Sequence, residues 1–312
     1  MTLSEIIKDN PLLHLGSDEI FHYGRIEFEI PPLDKLTGGG IPKKRITIIT
    51  GPTNVGKSYL ASQLVKALQE KGGVAAWIDN EVSWDPQWMA KCGVDCDNII
   101  VAQPTTGEET FDLIKTLMQS KVDLIVLDSI AGIVPAVLQD EDFSYNPMAW
   151  QARFMNQSLP KLMPYLKHGA ALMAINQVRS SLGPVSLEAM PGGMAQTFFS
   201  HFILNVRRRG WIKEKDERIG FDIEVRCRKT KVGGMPYGDC IVPFRLEGGI
   251  DMVEHQIREL LNTKRIQKKG AWYKVGDEEK PVQGMNGLRE LFQEKPELLE
   301  ALSGDLGDEE EA

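Results

Sequence analysis

Gly51, Pro52, Thr53, Asn54, Val55, Gly56, Lys57 and Ser58 read G-x-x-x-x-G-K-S, a spacing suited to a loop that closes around the phosphates of a nucleoside triphosphate. Gly51 and Gly56 let the backbone curl so that successive N–H groups point at phosphate oxygens. Lys57 then reaches the β- and γ-phosphates, and Ser58 offers its hydroxyl to Mg²⁺, with Tyr59 next on the nucleotide side. Such a pattern also arises by chance, so its flanks decide. Arg45–Thr50 is a β-branched run that reads as a buried strand, and Tyr59–Glu70 carries Leu60, Leu64, Val65 and Leu68 at helical spacing. A strand, this loop and a helix opening at the phosphates form the required arrangement.

Three further strand ends carry polar side chains. Val122–Asp128 is an apolar run ending in a carboxylate. In phosphate-loop hydrolases that residue holds the Mg²⁺ shell, usually through water; otherwise Asp128 is a surface acid at a strand end. Glu81 follows Ile78-Asp79-Asn80, where a carboxylate is able to polarise the water that attacks the γ-phosphate. Spacing alone does not separate this from a solvated loop glutamate. Gln177 ends Ala174-Ile175-Asn176, and its amide is suited to hydrogen-bond a γ-phosphate.

The elements that position these residues alternate. Strands are expected at Val74–Asp79, Ile99–Val101, Leu124–Asp128, Ala171–Asn176, Phe202–Val206, Phe221–Cys227 and Cys240–Phe244, with helices around Thr110–Met118 and Met148–Leu166. The implied fold is α/β, a mostly parallel sheet flanked by helices. The later strands follow closely enough for an antiparallel edge. Beyond Asp251 the pattern turns helical, with a strand-like insert at Gly270–Val275, which reads as a small α+β domain. The expected organisation is an N-terminal segment (1–28), a core (29–250), a C-terminal domain (251–303) and an acidic tail (304–312).

Composition bounds the function classes. The chain of 312 residues is 42% hydrophobic and 26% charged, as in an ordinary soluble protein. Neither a membrane-length apolar run nor a secretory leader is evident, so a cytoplasmic, membrane-free setting is expected. Cys92 and Cys96 are close in sequence, whereas Cys227 and Cys240 are remote, so reduced thiols are expected ahead of a disulfide framework or zinc. Taken alone, the net charge of −8 argues against a nucleic-acid partner. However, Asp305, Asp308, Glu309, Glu310 and Glu311 crowd the tail, while bases cluster at Arg207–Arg209, Arg226–Lys231 and Lys264–Lys269. Local positive stripes, not net charge, decide phosphate binding.

Taken in order, several stretches resemble the bacterial RecA recombinase family. They are Gly93-Val-Asp-Cys-Asp-Asn-Ile-Ile-Val-Ala-Gln-Pro-Thr-Thr-Gly-Glu108, Leu127-Asp128-Ser129, Ile175-Asn176-Gln177-Val178-Arg179, Arg207-Arg208 and Gly270-Ala-Trp-Tyr273. The resemblance runs from about Pro32 to Leu302, and the compactness and altered positions suggest a phage-encoded member. It implies a RecA-like ATPase core that uses ATP and Mg²⁺, with Glu81 the catalytic carboxylate and Gln177 the γ-phosphate sensor. Trp88 stands where a ring stacks on adenine. Lys229 and Lys231 match two lysines that reach into the neighbouring subunit's nucleotide site and stabilise transition-state charge in trans. Phe198 matches an aromatic at the same interface. The N-terminal segment is implied to mediate oligomerisation, with Leu3, Ile6 and Ile7 its apolar candidates.

The resemblance also implies a homo-oligomeric helical filament on single-stranded DNA that pairs it with homologous duplex DNA. The strand is expected to bind through one loop over about Gln139–Pro147, with Arg153 just beyond it. A second loop, over about Arg179–Gln196, contributes Arg179, Gly192 and Gly193. Duplex capture is implied at Arg208, Lys213 and Arg226, acting by counterion release. Against the family pattern the second loop is shorter, lacks a lysine and an aromatic, and carries Glu188. Pro160 and Thr53 replace an arginine and a glutamate. Fewer cations imply weaker or more salt-sensitive DNA binding. The competing functions are a nucleotide-binding recombination mediator and a hexameric helicase.

Overall fold

The computed structural model describes residues 3–8, 10, 12–138, 147–180, 188, 189, 191–214, 216–276, 278 and 280–304 (side chains of 4, 5, 147, 148, 179, 180, 188 and 189 excepted). Of the segments expected to bind DNA, residues 139–146 of the first and 181–187 and 190 of the second lie outside the described residues, as do residues 305–312 of the acidic tail.

The chain divides into two compact units, residues 1–207 with 224–240, and residues 208–223 with 241–312. The framework is a nine-stranded sheet. Its strands are β1 (Ile46–Gly51), β2 (Ala75–Asp79), β3 (Ile99–Ala102), β4 (Leu124–Asp128) and β5 (Ala171–Gln177). β6 (Phe202–Glu214), β7 (Glu217–Thr230), β8 (Asp239–Arg245) and β9 (Gly249–Ile250) complete it. Their spatial order is β9-β8-β7-β6-β1-β5-β4-β2-β3. From β6 through β3 every pairing is parallel. β8 and β9 pair antiparallel, and the two residues separating β6 from β7 permit only antiparallel pairing there. The α/β fold with an antiparallel edge agrees with the sequence expectation.

Successive side chains of a strand point to opposite faces, and β1, β2 and β4 are buried at every position. Both faces of the central sheet are therefore covered, as parallel sheets require. On one face Ile46, Ile48, Ile78, Ile125, Leu127 and Leu172 join a cluster with residues of α3 (Gly107–Met118) and α4 (Pro147–Leu162). α3 opens on a capping box, Thr106 with Glu109, which satisfies two of the donors a helix leaves orphaned at its start. α1 (Lys57–Glu70) buries Leu60, Leu64, Val65 and Leu68, the residues whose spacing predicted it. β6 and β7 run well past the expected Phe202–Val206 and Phe221–Cys227, because pairing continues through a charge-rich stretch where apolar alternation has ceased.

The second unit has its own core. α6 (Met252–Asn262), α7 (Gly284–Glu294) and α8 (Pro296–Gly304) contribute Ile257, Leu260, Leu288, Phe292 and Leu299. A small sheet of β10 (Ile266–Lys269), β11 (Trp272–Val275) and β12 (Val282–Gln283) adds Ile266, Tyr273 and Val275. Asp251 is its electrostatic hub, accepting from Arg245 and Arg289 and capping α6 at Glu254 N. Among the described residues no helix is long and apolar enough to cross a membrane.

Candidate nucleotide site and DNA-facing residues

The phosphate loop joins β1 to α1. Gly51 sits so close to β6 that a Cβ there would lie 2.1 Å from the Val206 carbonyl oxygen, which excludes any larger residue. Gly56 has φ +96°, a conformation L side chains rarely adopt, and α1 begins at the next residue. Lys57 is buried and donates to the Pro52 carbonyl at 2.5 Å, folding its own loop. Burial lowers its pKa, opposed by the nearby Asp128 and Glu81 carboxylates.

β1, β5, β4 and β2 lie side by side, so their C-terminal ends deliver the other polar residues to one edge. Ligands of open α/β sheets bind at this end of the strands. Asp128 ends β4 nearly buried, and Ser58 hydrogen-bonds its carboxylate. Burial raises the Asp128 pKa to about 6; Glu81 and Asp79 push the same way, while Ser58 and Lys57 oppose. A hydroxyl and a carboxylate joined in this way are oxygen donors of the kind Mg²⁺ takes, so the residues present fit that ion.

Glu81 lies past the end of β2. Its Oε1 accepts from Gln177 Nε2 at 2.9 Å and from Ser129 Oγ. Its position is set by Asp79, which is fully buried. The Asp79 carboxylate accepts from the backbone N–H of Glu81 at 3.1 Å, of Ser83 at 2.8 Å and of Trp84 at 2.8 Å, and from Gln103 Nε2 at 2.9 Å. Asp79, Ser129 and Gln103 were not singled out from the sequence. An acid followed by a loop whose N–H groups turn back on it is an Asx-type signal, but its reach to Gln103 is long-range.

Gln177 adjoins a second buried network. Asn176 Nδ2 donates to Gln196 Oε1 at 2.7 Å and to the Pro191 carbonyl at 3.0 Å, and Gln196 donates on to Gly193 O at 3.2 Å. The strand end carrying Gln177 is thus tied to Pro191 and Gly193, on either side of Gly192, and to α5 (Ala195–Phe199). Arg179 pairs by backbone with Ala189; its side chain, and residues 181–187 and 190, lie outside the described residues. Arg153 is exposed on α4, with its guanidinium 5.7 Å from the centre of the Trp150 ring. That helix is anchored by Gln151, which donates to Ile130 O at 2.9 Å just beyond Asp128.

Lys229 and Lys231 form a separate cluster at the C-terminal end of α5. Lys229 Nζ donates to Ser200 O at 2.7 Å and to Thr197 O, and Lys231 Nζ to Phe198 O at 3.2 Å. Cations suit the negative end of a helix. Burial, with Lys231 adding repulsion, brings the Lys229 pKa down to about 8. The Phe198 side chain on the same helix is 67% exposed. Trp88 is 51% exposed on α2 (Pro86–Lys91), a short helix capped by the Asp85 carboxylate. Arg208 and Lys213 are exposed on β6, and Arg226, on β7, faces Asp239 at 3.9 Å. All four cysteines are free.

The RecA N-terminal domain family matches residues 9–251 of this chain. Protein RecA of Aquifex aeolicus (strain VF5) is 38% identical over 275 residues, covering 86% of this chain and 79% of that protein. Protein RecA of Thermus aquaticus is 37% identical over 276 residues, covering 86% and 81%. Protein RecA of Acinetobacter baylyi is 33% identical over 304 residues, covering 95% and 86%. With a match of this extent over a core whose phosphate loop is intact, the chain belongs to the RecA family.

Proposed function

We infer that this chain is a DNA-dependent ATP hydrolase and strand-exchange recombinase that assembles as a helical filament on single-stranded DNA and pairs it with homologous duplex DNA. The observation that carries the reading is the convergence of Lys57, Ser58, Asp128, Glu81 and Gln177 at one edge of a parallel sheet. ATP is the substrate; residues 51–59 hold its phosphates and Trp88 stacks on its base. Ser58 and Asp128 would hold Mg²⁺, which when bound supplies positive charge at the β- and γ-phosphates. Lys57 leaves the Pro52 carbonyl for a phosphate oxygen. Glu81 takes a proton from the attacking water through Oε2, since Gln177 and Ser129 both donate to Oε1.

Gln177 is placed to exchange Glu81 for a γ-phosphate oxygen, and the Asn176–Gln196 link carries that change toward Gly192, Gly193 and α5. Lys229 and Lys231, with Phe198, act on the neighbouring protomer's site, so hydrolysis requires assembly. The segment 1–28, with Leu3 and Ile6 exposed, seats a neighbour; residues 29–250 form the ATPase core, 251–303 a small domain and 304–312 a solvated acidic tail. Arg153, Arg179, Gly192 and Gly193 contact the bound strand, and Arg208, Lys213 and Arg226 capture duplex. The cytoplasm is the expected setting. The test is Glu81→Gln, which should abolish ATP turnover while retaining ATP and DNA binding. Undiminished turnover would remove Glu81 from the mechanism.

A further inference from the structure

The tip of the β6–β7 hairpin carries a cluster that phosphate contacts alone do not explain. The Arg208 guanidinium carbon lies 4.3 Å from the centre of the Trp211 ring, and that of Arg218 lies 4.6 Å from the same centre. The indole meets Phe221 edge-on, 5.9 Å between centres, and Phe221 packs on Phe244 at 5.0 Å. Phe221 and Phe244 are buried, whereas Trp211 is 37% exposed. One edge of the ring is therefore fixed by the unit's own core, and both guanidiniums lie over its π-system, so an incoming base extends the stack on their outer planes.

Two guanidiniums around one ring repel each other, and cation–π attraction only partly offsets this. An anion with a flat apolar body answers both features: its charge relieves the repulsion and its π-face extends the stack. Planar guanidinium groups stack on aromatic faces and pair with phosphate in the same pose. Base–aromatic stacking beside a cationic groove is how proteins hold unpaired nucleic acid without reading sequence. Lys213, exposed farther along β6, continues the cationic surface toward the next phosphates.

We propose that Trp211, with Arg208 and Arg218, is a stacking platform for an unpaired base of a second DNA strand. This rests on the proposed recombinase function and adds base contact to a stripe otherwise acting through phosphates. Duplex DNA being opened for pairing would present such a base, and the contact would be indifferent to sequence.

The test assembles the full-length protein on unlabelled oligothymidylate with Mg²⁺ and a non-hydrolysable ATP analogue. A second, fluorescent strand is then titrated, either oligothymidylate or an abasic strand of equal length. The wild type should prefer oligothymidylate. Trp211→Leu should lose that preference, weakening oligothymidylate by roughly tenfold or more, with abasic binding unchanged. Trp211→Phe should keep most of it. Arg208→Ala should weaken both strands and flatten the salt dependence. An undiminished preference in Trp211→Leu, equal losses on both strands, or Trp211→Phe behaving as Trp211→Leu would overturn the platform while leaving the recombinase reading standing. A wild type that does not assemble, or captures no second strand, would overturn both.

Discussion

Asp128 should make the nucleotide-free protein less stable than it need be. Burial raises its pKa from the ordinary 3.8 to about 6. The folded protein therefore holds this proton more tightly than the unfolded chain, and between about pH 4 and pH 6 it binds more protons and loses stability as the pH rises. At about 1.36 kcal/mol per pKa unit, the distance from 3.8 to about 6 amounts to about 3 kcal/mol by neutral pH. Asp128→Asn removes the charge while keeping an oxygen to accept from Ser58. Urea unfolding of wild type and variant, without nucleotide or magnesium, should show less than about 1 kcal/mol of difference at pH 4. The gap should widen through pH 6 to about 3 kcal/mol at pH 7 and above, with the variant more stable. Magnesium and nucleotide at about 100 times the Kd add about 2.7 kcal/mol to any protein that binds them, so they should close most of the gap by helping the wild type alone. A difference constant with pH, or a variant less stable at pH 7, would refute the reasoning.

Two further perturbations address groups around the site. Asp79→Ala removes the acceptor for three loop N–H groups and for Gln103, and should cost about 2–3 kcal/mol of stability. With Glu81 no longer held, kcat should fall more than nucleotide affinity; equal losses in both would contradict a positioning role. Lys229, brought down to about 8, should at pH 8 carry a free-amine fraction roughly 100-fold above that of an ordinary lysine. Mass spectrometry after brief acylation should therefore find it modified ahead of exposed lysines in the free chain, and protected once filaments form. A rate no higher than that of the exposed lysines would count against the buried setting, and unchanged labelling in filaments against its role in trans.

Much of the nucleotide loop was legible because its signals are local. The β-branched run before Gly51 and the spacing of Leu60, Leu64, Val65 and Leu68 identify a strand and a helix within one short window. Asp128 was legible for the same reason, an acid closing an apolar run. Asp79 was hidden because its importance lies in loop N–H groups that fold back on it and in Gln103, just past the end of β3. The Asn176–Gln196 bond joins residues that no periodicity connects. The extension of β6 through Arg207–Glu214 was hidden because exposed strands lose the apolar alternation that marks them. Trp211 was not singled out, since it lies just past the Arg207–Arg209 cluster with no local signal of its own, and only the hairpin brings Arg218 over the ring that Arg208 also covers.

The central claim is that nucleotide and DNA together assemble this chain into a hydrolysing filament. Electron microscopy with single-stranded DNA, Mg²⁺ and a non-hydrolysable ATP analogue tests it most directly. The account predicts continuous helical filaments on extended DNA, absent when nucleotide is withheld. Closed rings, as a hexameric helicase would form, or nucleotide binding that leaves the DNA bare, as for a mediator, would contradict it.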